Sequence, residues 1–160
     1  MRGKKRGLTP FPVGRKRGLT PFSAPRGRRG SAVLDAALVL PILLSLMFGT
    51  VEYGHFFFWK HTLQGAAREG ARTAITANAQ NSEVINAVRT AMNAAGVDQS
   101  KYTVKIRNGT DTADVDVKNV TPGNAVLVKV YSQWGTVGMR PLGLISASKQ
   151  VTGQTVMRKE

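Results

Sequence analysis

An uncharged apolar run limits the folds open to this chain more than any other feature. Residues 36–51 contain no charged side chain, and apolar residues continue to Trp59 with a single carboxylate, Glu52, between them. A helix from Ala36 to Trp59 would be about 36 Å long, enough to cross the hydrocarbon core of a bilayer. The run predicts one membrane-spanning helix, with Glu52 solvated at the interface where the helix leaves the bilayer. A buried helix of a water-soluble domain is the alternative.

The distribution of charge predicts how such a helix is oriented. The chain has 160 residues, with 23 Lys and Arg against 9 Asp and Glu. Ten of the basic residues and none of the acids lie in residues 1–30, which also hold the repeat Lys5–Phe11 and Lys16–Phe22. A leader this basic and rich in Pro and Gly is predicted to be disordered. The positive-inside rule predicts a cytoplasmic N-terminus and a C-terminal body on the other side of the membrane.

Composition argues against several classes of protein. Cysteine is absent and there are two histidines, so disulfide scaffolds and Cys-based zinc sites are excluded. The spacing of Asp111, Asp114 and Asp116 does not fit an EF-hand, and solvated carboxylates are expected there. We expect no catalytic residues, no metal and no cofactor. Nucleic-acid binding by the leader is a weaker alternative to contact with anionic lipid, because the leader lacks a folded reader.

The remaining pattern predicts an α+β protein. A long N-terminal helix is expected from about Asp35 to Ala77, and a second helix from an N-cap at Ser82 to a stop at Gly96. A small antiparallel sheet of three or four strands is expected after them. The predicted strands are residues 102–107, 113–118, 125–131 and 145–156, with the third central and the last on an edge.

Small residues recur along the second half of the long helix. This spacing lets two helix backbones approach closely, either in another subunit or within the protein's own domain, and the sequence leaves both readings open. The residues at small-xxx-small spacing are Ala66, Gly70 and Ala74.

The junction between leader and apolar run resembles a known signal. The basic leader ends at Gly30, the small residue Ser31 follows, and Asp35 precedes the uninterrupted apolar run. This arrangement resembles the type IV prepilin signal and, within it, the TadE-like proteins of tight-adherence (Tad/Flp) pilus systems. The resemblance covers residues 29–72 and includes the Ala-Ala-Arg-Glu-Gly-Ala-Arg box at residues 66–72.

The resemblance implies a processing step and a set of partners. A prepilin peptidase would cleave between Gly30 and Ser31. Asp35, where the family usually has Glu, would attract the N-terminal amine of a neighbouring subunit; capping of the helix is the alternative role. The implied partners are the prepilin peptidase, other pilin subunits, the inner-membrane assembly platform and membrane lipid.

The expected organisation follows from these points. Residues 1–30 would be a removable leader, residues 31–60 a transmembrane helix in the bacterial inner membrane, and residues 61–160 an extracytoplasmic α+β domain that includes the end of the long helix. The resemblance implies a minor pilin or pseudopilin that serves adhesion or secretion, and no enzyme. The alternative is an uncleaved, single-pass binding protein with the same outer domain.

Overall fold

Helix α1 dominates the chain and spans Arg28–Ala74, 47 residues with Pro41 inside them. Hydroxyl side chains within its apolar part bond back to the helix: Ser45 Oγ donates to the Pro41 carbonyl at 2.8 Å, and Thr50 Oγ1 donates to the Leu46 carbonyl at 2.9 Å. These bonds satisfy the hydroxyls without water, as an apolar medium requires. The helix begins before the predicted Asp35 and ends three residues before the predicted Ala77.

The structure is a computed structural model that describes residues 28–160, with side chains described from residue 32 onward. The predicted disordered leader and its repeat lie outside the described residues. The chain divides into two compact units, with the boundary between Leu38 and Val39, and the sheet belongs to the second unit.

Helix α2 spans Asn81–Ala94 and buries one face. Its N-cap is Gln80 rather than the predicted Ser82; the Gln80 backbone N–H donates to Glu83 Oε2 at 3.0 Å. That bond satisfies an N–H at the helix start, and the acidic side chain there complements the helix dipole. Past the C-terminus, Gly96 has φ +74°, a left-handed conformation that favours glycine. The buried residues of α2 are Val84, Val88 and Met92.

Three antiparallel strands form the sheet in the order β1-β2-β3. They are β1 Thr103–Asn108, β2 Ala125–Gln133 and β3 Gln150–Arg158. The register places Ile106 opposite Val128, and Val130 opposite Gly153. The predicted central position of the strand near residue 125 and the edge position of the last strand are confirmed. Together with the two helices, the sheet confirms the predicted α+β class.

The predicted strand over residues 113–118 is wrong. This segment forms one isolated bridge, between Asp114 and Arg107, and then a 3-10 turn over Val117–Asn119. Asp116 caps that turn by accepting from the Lys118 N–H at 3.2 Å. Local side-chain bonds of this kind compete with a strand ladder, and alternation of apolar and acidic residues does not reveal them.

The core lies where one face of α1 meets α2 and the sheet. The α1 residues buried on that face lie one or two helical turns from the next, some as adjacent pairs, which is the spacing of a helix packed along one side. They are Glu52, Trp59, Leu63, Ala66, Ala67, Gly70, Ala71 and Ala74.

Candidate functional site

The predicted cleavage junction lies in the first turn of α1. Gly30 and Ser31 have helical backbone, whereas a bond presented to a peptidase cleft was expected to be extended. The first N–H groups of a helix have no partner within it, so this turn is the part of α1 that unwinds at least cost. Asp35 lies in the helix interior, seven residues after Arg28, and its side chain is exposed. It therefore does not occupy the N-cap position considered for it.

Residues 32–48, the apolar segment of α1, are exposed on every side. A core helix of a soluble domain would be mostly buried, so that alternative does not fit. The segment belongs to the one helix among the described residues that is long and apolar enough to cross a membrane. This is consistent with a single-pass membrane anchor.

The small-residue stripe faces the protein's own domain. Ala66 and Ala74 are buried. A Cβ placed on Gly70 would lie 2.6 Å from a methyl carbon of Val88 on α2 and 3.1 Å from one of Val128 on β2. The stripe thus brings α1 close to both elements, and a role between subunits stays a prediction.

Helix α1 also covers the open edge of β3. The side-chain amide of Gln64 donates to the Gln154 carbonyl at 2.9 Å, and its oxygen accepts from the Gln154 N–H at 3.2 Å. A Cβ on Gly153 would lie 2.3 Å from the backbone of Leu63, so only glycine permits this approach. The helix therefore satisfies backbone groups that an edge strand would otherwise leave open to pairing.

Glu52 is the largest departure from the sequence prediction. It was expected to be solvated, but its side chain is fully buried. Its Oε1 accepts from the Ile145 N–H at 2.8 Å, and its Oε2 accepts from the Leu142 N–H at 3.3 Å. A buried carboxylate requires such donors, since desolvation without them is costly. Glu52 therefore fixes the 138–146 loop against α1, and the interfacial-solvation prediction is wrong.

A second contact holds the start of that loop. His55 Nε2 lies 3.1 Å from both the Val137 carbonyl oxygen and Trp59 Nε1. In one tautomer the ring donates to the carbonyl, and in the other it accepts from the indole N–H. Beside it, the rings of Phe56 and Trp134 meet edge to face with their centroids 5.3 Å apart. The segment before the loop is thus packed on the turn of α1 that follows Glu52.

The 138–146 loop exposes several apolar side chains. Met139, Leu142 and Leu144 are 59%, 41% and 55% exposed. An apolar hollow of about 410 Å³ lies between this loop and α1, and its wall is formed by Met47, Phe48, Val51, Met139, Arg140 and Pro141. The exposed apolar surface of the loop thus lies next to that of α1 around Met47 and Phe48, and the two form one continuous apolar surface.

The acidic residues considered for calcium pair with basic side chains. Asp111 contacts Lys129 Nζ at 2.8 Å and Arg107 Nη1 at 3.0 Å, and Asp114 contacts Arg107 Nε at 3.0 Å. The hydrogen bonds and charges of Lys129 and Arg107 hold the pKa of Asp111 below its usual value, with the hydrogen bond from Lys129 as the largest cause. Among residues 28–160 no cluster of three or more histidine or acidic side chains could hold a metal ion.

A polar cavity of about 410 Å³ lies at one end of the sheet. Its described walls carry hydroxyls, amides and one lysine, including Tyr102, Ser132 and Gln150, without a carboxylate or histidine. Burial raises the pKa of Tyr102. The described walls of this cavity therefore offer hydrogen-bonding groups and one amine, with no histidine or carboxylate base beside the serine hydroxyls.

Residues 30–72 match the model of TadE-like proteins. The predicted resemblance is confirmed over this segment, which runs from the predicted cleavage junction into the small-residue stripe, as far as Arg72. A TadE-like segment suggests a protein associated with Tad pili. Comparisons with curated proteins and with solved structures found no match.

The TadE-like segment contains a contact that sequence reasoning missed. Glu52 falls at helical spacing with Phe56, Trp59 and Leu63, the start of the face that α1 buries. That spacing could have indicated burial of Glu52 against the domain. The apolar run on both sides pointed instead to membrane, and the partner loop lies about ninety residues away in sequence.

Proposed function

We propose that this chain is a minor pilin or pseudopilin of a Tad/Flp-type pilus. The observation that carries the proposal is the exposed apolar segment of α1 inside a TadE-like match. A helix with apolar residues on every side needs lipid or other apolar helices around it. Such a segment can reside in the inner membrane and then pack among the helices of other subunits during assembly for adhesion or secretion.

Processing would generate the assembly-competent chain. A prepilin peptidase hydrolyses the Gly30–Ser31 bond, which leaves a carboxylate on Gly30 and an α-amino group on Ser31. Glycine suits a protease cleft because it has no side chain. Arg28 and Arg29 would hold the junction at the anionic inner leaflet. Cleavage thus removes the leader, residues 1–30, on the cytoplasmic side.

Asp35 would set the register between subunits. Its side chain is exposed on the apolar segment, and a carboxylate in an apolar medium favours a cationic partner. The α-amino group that cleavage creates on a neighbouring subunit has the required charge. Residues 31–60 would then form the span, residues 61–160 the extracytoplasmic domain, and the assembly platform would receive the processed subunit.

The intact mass and N-terminal sequence of the protein from its native membrane test the proposal. We expect a chain that begins at Ser31. Gly30→Val should leave the leader attached, because the branched side chain obstructs the cleft. The matched change Gly27→Val, three residues earlier in the leader, should be processed normally. A native chain that keeps residues 1–30 beside a working prepilin peptidase would overturn the assignment and favour the uncleaved binding protein.

Assembly is a separate readout in the same cells. Asp35→Asn should be processed but should not enter fibres, because the amide carries no charge for the neighbouring amine. Asp35→Glu restores the residue usual in the family and should assemble. Equal incorporation of both variants would contradict the register role of Asp35.

A further inference from the structure

The apolar segment is shorter than the membrane it would cross. Residues 32–48 are exposed on all sides and span about 25 Å as a helix, whereas a typical hydrocarbon core is about 30 Å thick. From Ala36, after the carboxylate of Asp35, the uncharged part that ends at Phe48 is only about 20 Å long. The remaining depth must be occupied by residues after Phe48.

The residues that follow Phe48 on α1 already contact part of the sheet domain. A Cβ on Gly49 would lie 3.6 Å from a methyl carbon of Leu144, and one turn later Glu52 holds the loop backbone. The 138–146 loop therefore lies beside α1 at the level where the span is still incomplete. Any membrane that covers the whole span must also meet this loop.

The chemistry of the loop suits lipid. Residues 138–146 contain no acidic side chain, and Met139, Leu142 and Leu144 are exposed. The one charged residue, Arg140, is long enough to reach headgroups while its stem stays in apolar surroundings. The exposed apolar side chains thus have a favourable environment in lipid.

Some backbone N–H groups of the loop already have hydrogen-bond acceptors within the protein, as insertion into lipid requires. In lipid an unpaired N–H is costly, because no water is present to accept its hydrogen bond. The carboxylate of Glu52 accepts from the Leu142 and Ile145 N–H groups, and Pro141 has no N–H. Glu52 is thus a positioning residue that lowers the cost of placing this loop in lipid.

We propose that the 138–146 loop is a second membrane-inserted element, which enters the leaflet from which α1 emerges and is held there by Glu52. The occupant of this surface is lipid rather than another subunit. The loop's apolar surface continues that of Met47 and Phe48, and it lies beside the part of α1 that must complete the membrane span. This inference rests on the proposed membrane span.

Because the chain contains no cysteine, single labels can be placed at will. We would attach an environment-sensitive fluorophore at Leu144→Cys in the loop, at Met47→Cys in the span and at Gln99→Cys on an exposed turn. The full chain goes into phosphatidylethanolamine/phosphatidylglycerol vesicles with and without nitroxide-labelled lipid. We expect the nitroxide to quench labels 144 and 47 in parallel, and label 99 to keep its emission.

The outcomes separate this inference from the proposed span. Quenching at position 47 without quenching at position 144 would overturn the inserted loop and leave the span intact. A label at 144 shielded from aqueous iodide but untouched by nitroxide lipid would identify a subunit contact and also overturn it. No quenching at position 47 would overturn the span and, with it, the inference.

The role of Glu52 has its own readout. Glu52→Gln replaces one acceptor oxygen by an amide group that cannot accept, so one loop N–H loses its partner. We expect faster amide exchange over residues 141–146 and weaker quenching at position 144, with position 47 unchanged. The matched change of an exposed carboxylate on the same helix, Glu69→Gln, should alter neither. Unchanged exchange in Glu52→Gln would remove Glu52 from the proposal; if that variant does not fold, the labels on the otherwise unchanged chain still decide it.

Discussion

At the scale of single residues, two glycines of α1 have opposite surroundings. Nothing lies within 4 Å of a Cβ on Gly65, whereas a Cβ on Gly70 meets Val88 and Val128. Gly65→Ala should stabilise the domain by up to about 1 kcal/mol through helix propensity. Gly70→Ala should destabilise it by about 1–3 kcal/mol, because branched valines cannot move aside without strain. Urea unfolding of both variants in the same detergent measures the two effects.

The glycine pair also tests where the small-residue stripe acts. If Gly70→Ala left the free energy of unfolding unchanged and weakened only assembly, the stripe would serve subunit contact instead of the domain core. The sequence left both uses open because small-xxx-small spacing is the same in each case. Only the positions of Val88 and Val128 show which surface lies opposite Gly70 in the structure.

Glu52 is a second residue whose surroundings could not be predicted from the sequence. A carboxylate at the end of an apolar run is predicted to lie at the membrane interface, in contact with water, because burial of a charge is costly. The structure offsets that cost with two backbone N–H groups. Those donors come from a distant loop, so no local pattern around residue 52 could identify them.

At the scale of elements, Asp111 joins the segment after β1 to β2. Its carboxylate bonds to Arg107 on β1 and Lys129 on β2, and its folded-state pKa is lowered. The stabilisation is therefore present above the unfolded-state pKa of about 4 and is lost as the pH falls through the lower folded-state value. Asp111→Asn should unfold at lower urea than the native protein at pH 7, and the difference should shrink below about pH 4.

Urea midpoints measured between pH 2 and pH 7 check this expectation. Asn tolerates the positive φ of 56° at this position, so the backbone conformation is kept. A difference that stayed constant over the whole pH range would show that charge on Asp111 contributes nothing.

The same ionic contacts explain why one element was mispredicted. Residues 113–118 alternate as a strand does, but Asp114 bonds to Arg107 and Asp116 caps a turn. Where the alternating positions held β-branched residues, as at Val126, Val128 and Val130 of β2, the predicted strand formed. A period of two therefore located strands only where local side-chain bonds did not compete with the ladder.

At the scale of the whole molecule, the contacts of α1 divide the chain near Gly49. No residue of 32–48 is buried, whereas a Cβ on Gly49 would contact Leu144 and Glu52 is fully buried against the domain. A fragment of residues 49–160 should keep the free energy of unfolding of the full domain. A fragment of residues 57–160 lacks Glu52, His55 and Phe56 and should lose about 2–4 kcal/mol. Thermal and urea unfolding of the two fragments, compared at equal detergent, measure this difference.

The two fragments also test the importance of the loop attachment. Equal stability would mean that the contacts at Glu52 and Phe56 do not hold the domain together. A 49–160 fragment much weaker than the full chain would show instead that the apolar segment supports the core. Because both fragments keep the whole sheet, loss of a strand cannot account for either result.

Sequence alone determined the features that depend on neighbours along the chain. The apolar run, the Gly30–Ser31 junction and the small-residue box predicted the long helix and the resemblance to TadE-like proteins. The period-two pattern after the second helix predicted the α+β class, because periodicity and composition are local properties. Tertiary structure decided what lies opposite each surface: the loop at Glu52, the valines at Gly70 and the strand edge at Gln64. Those partners are about twenty to ninety residues away in sequence, and the packing that joins them is fixed only when the whole core forms.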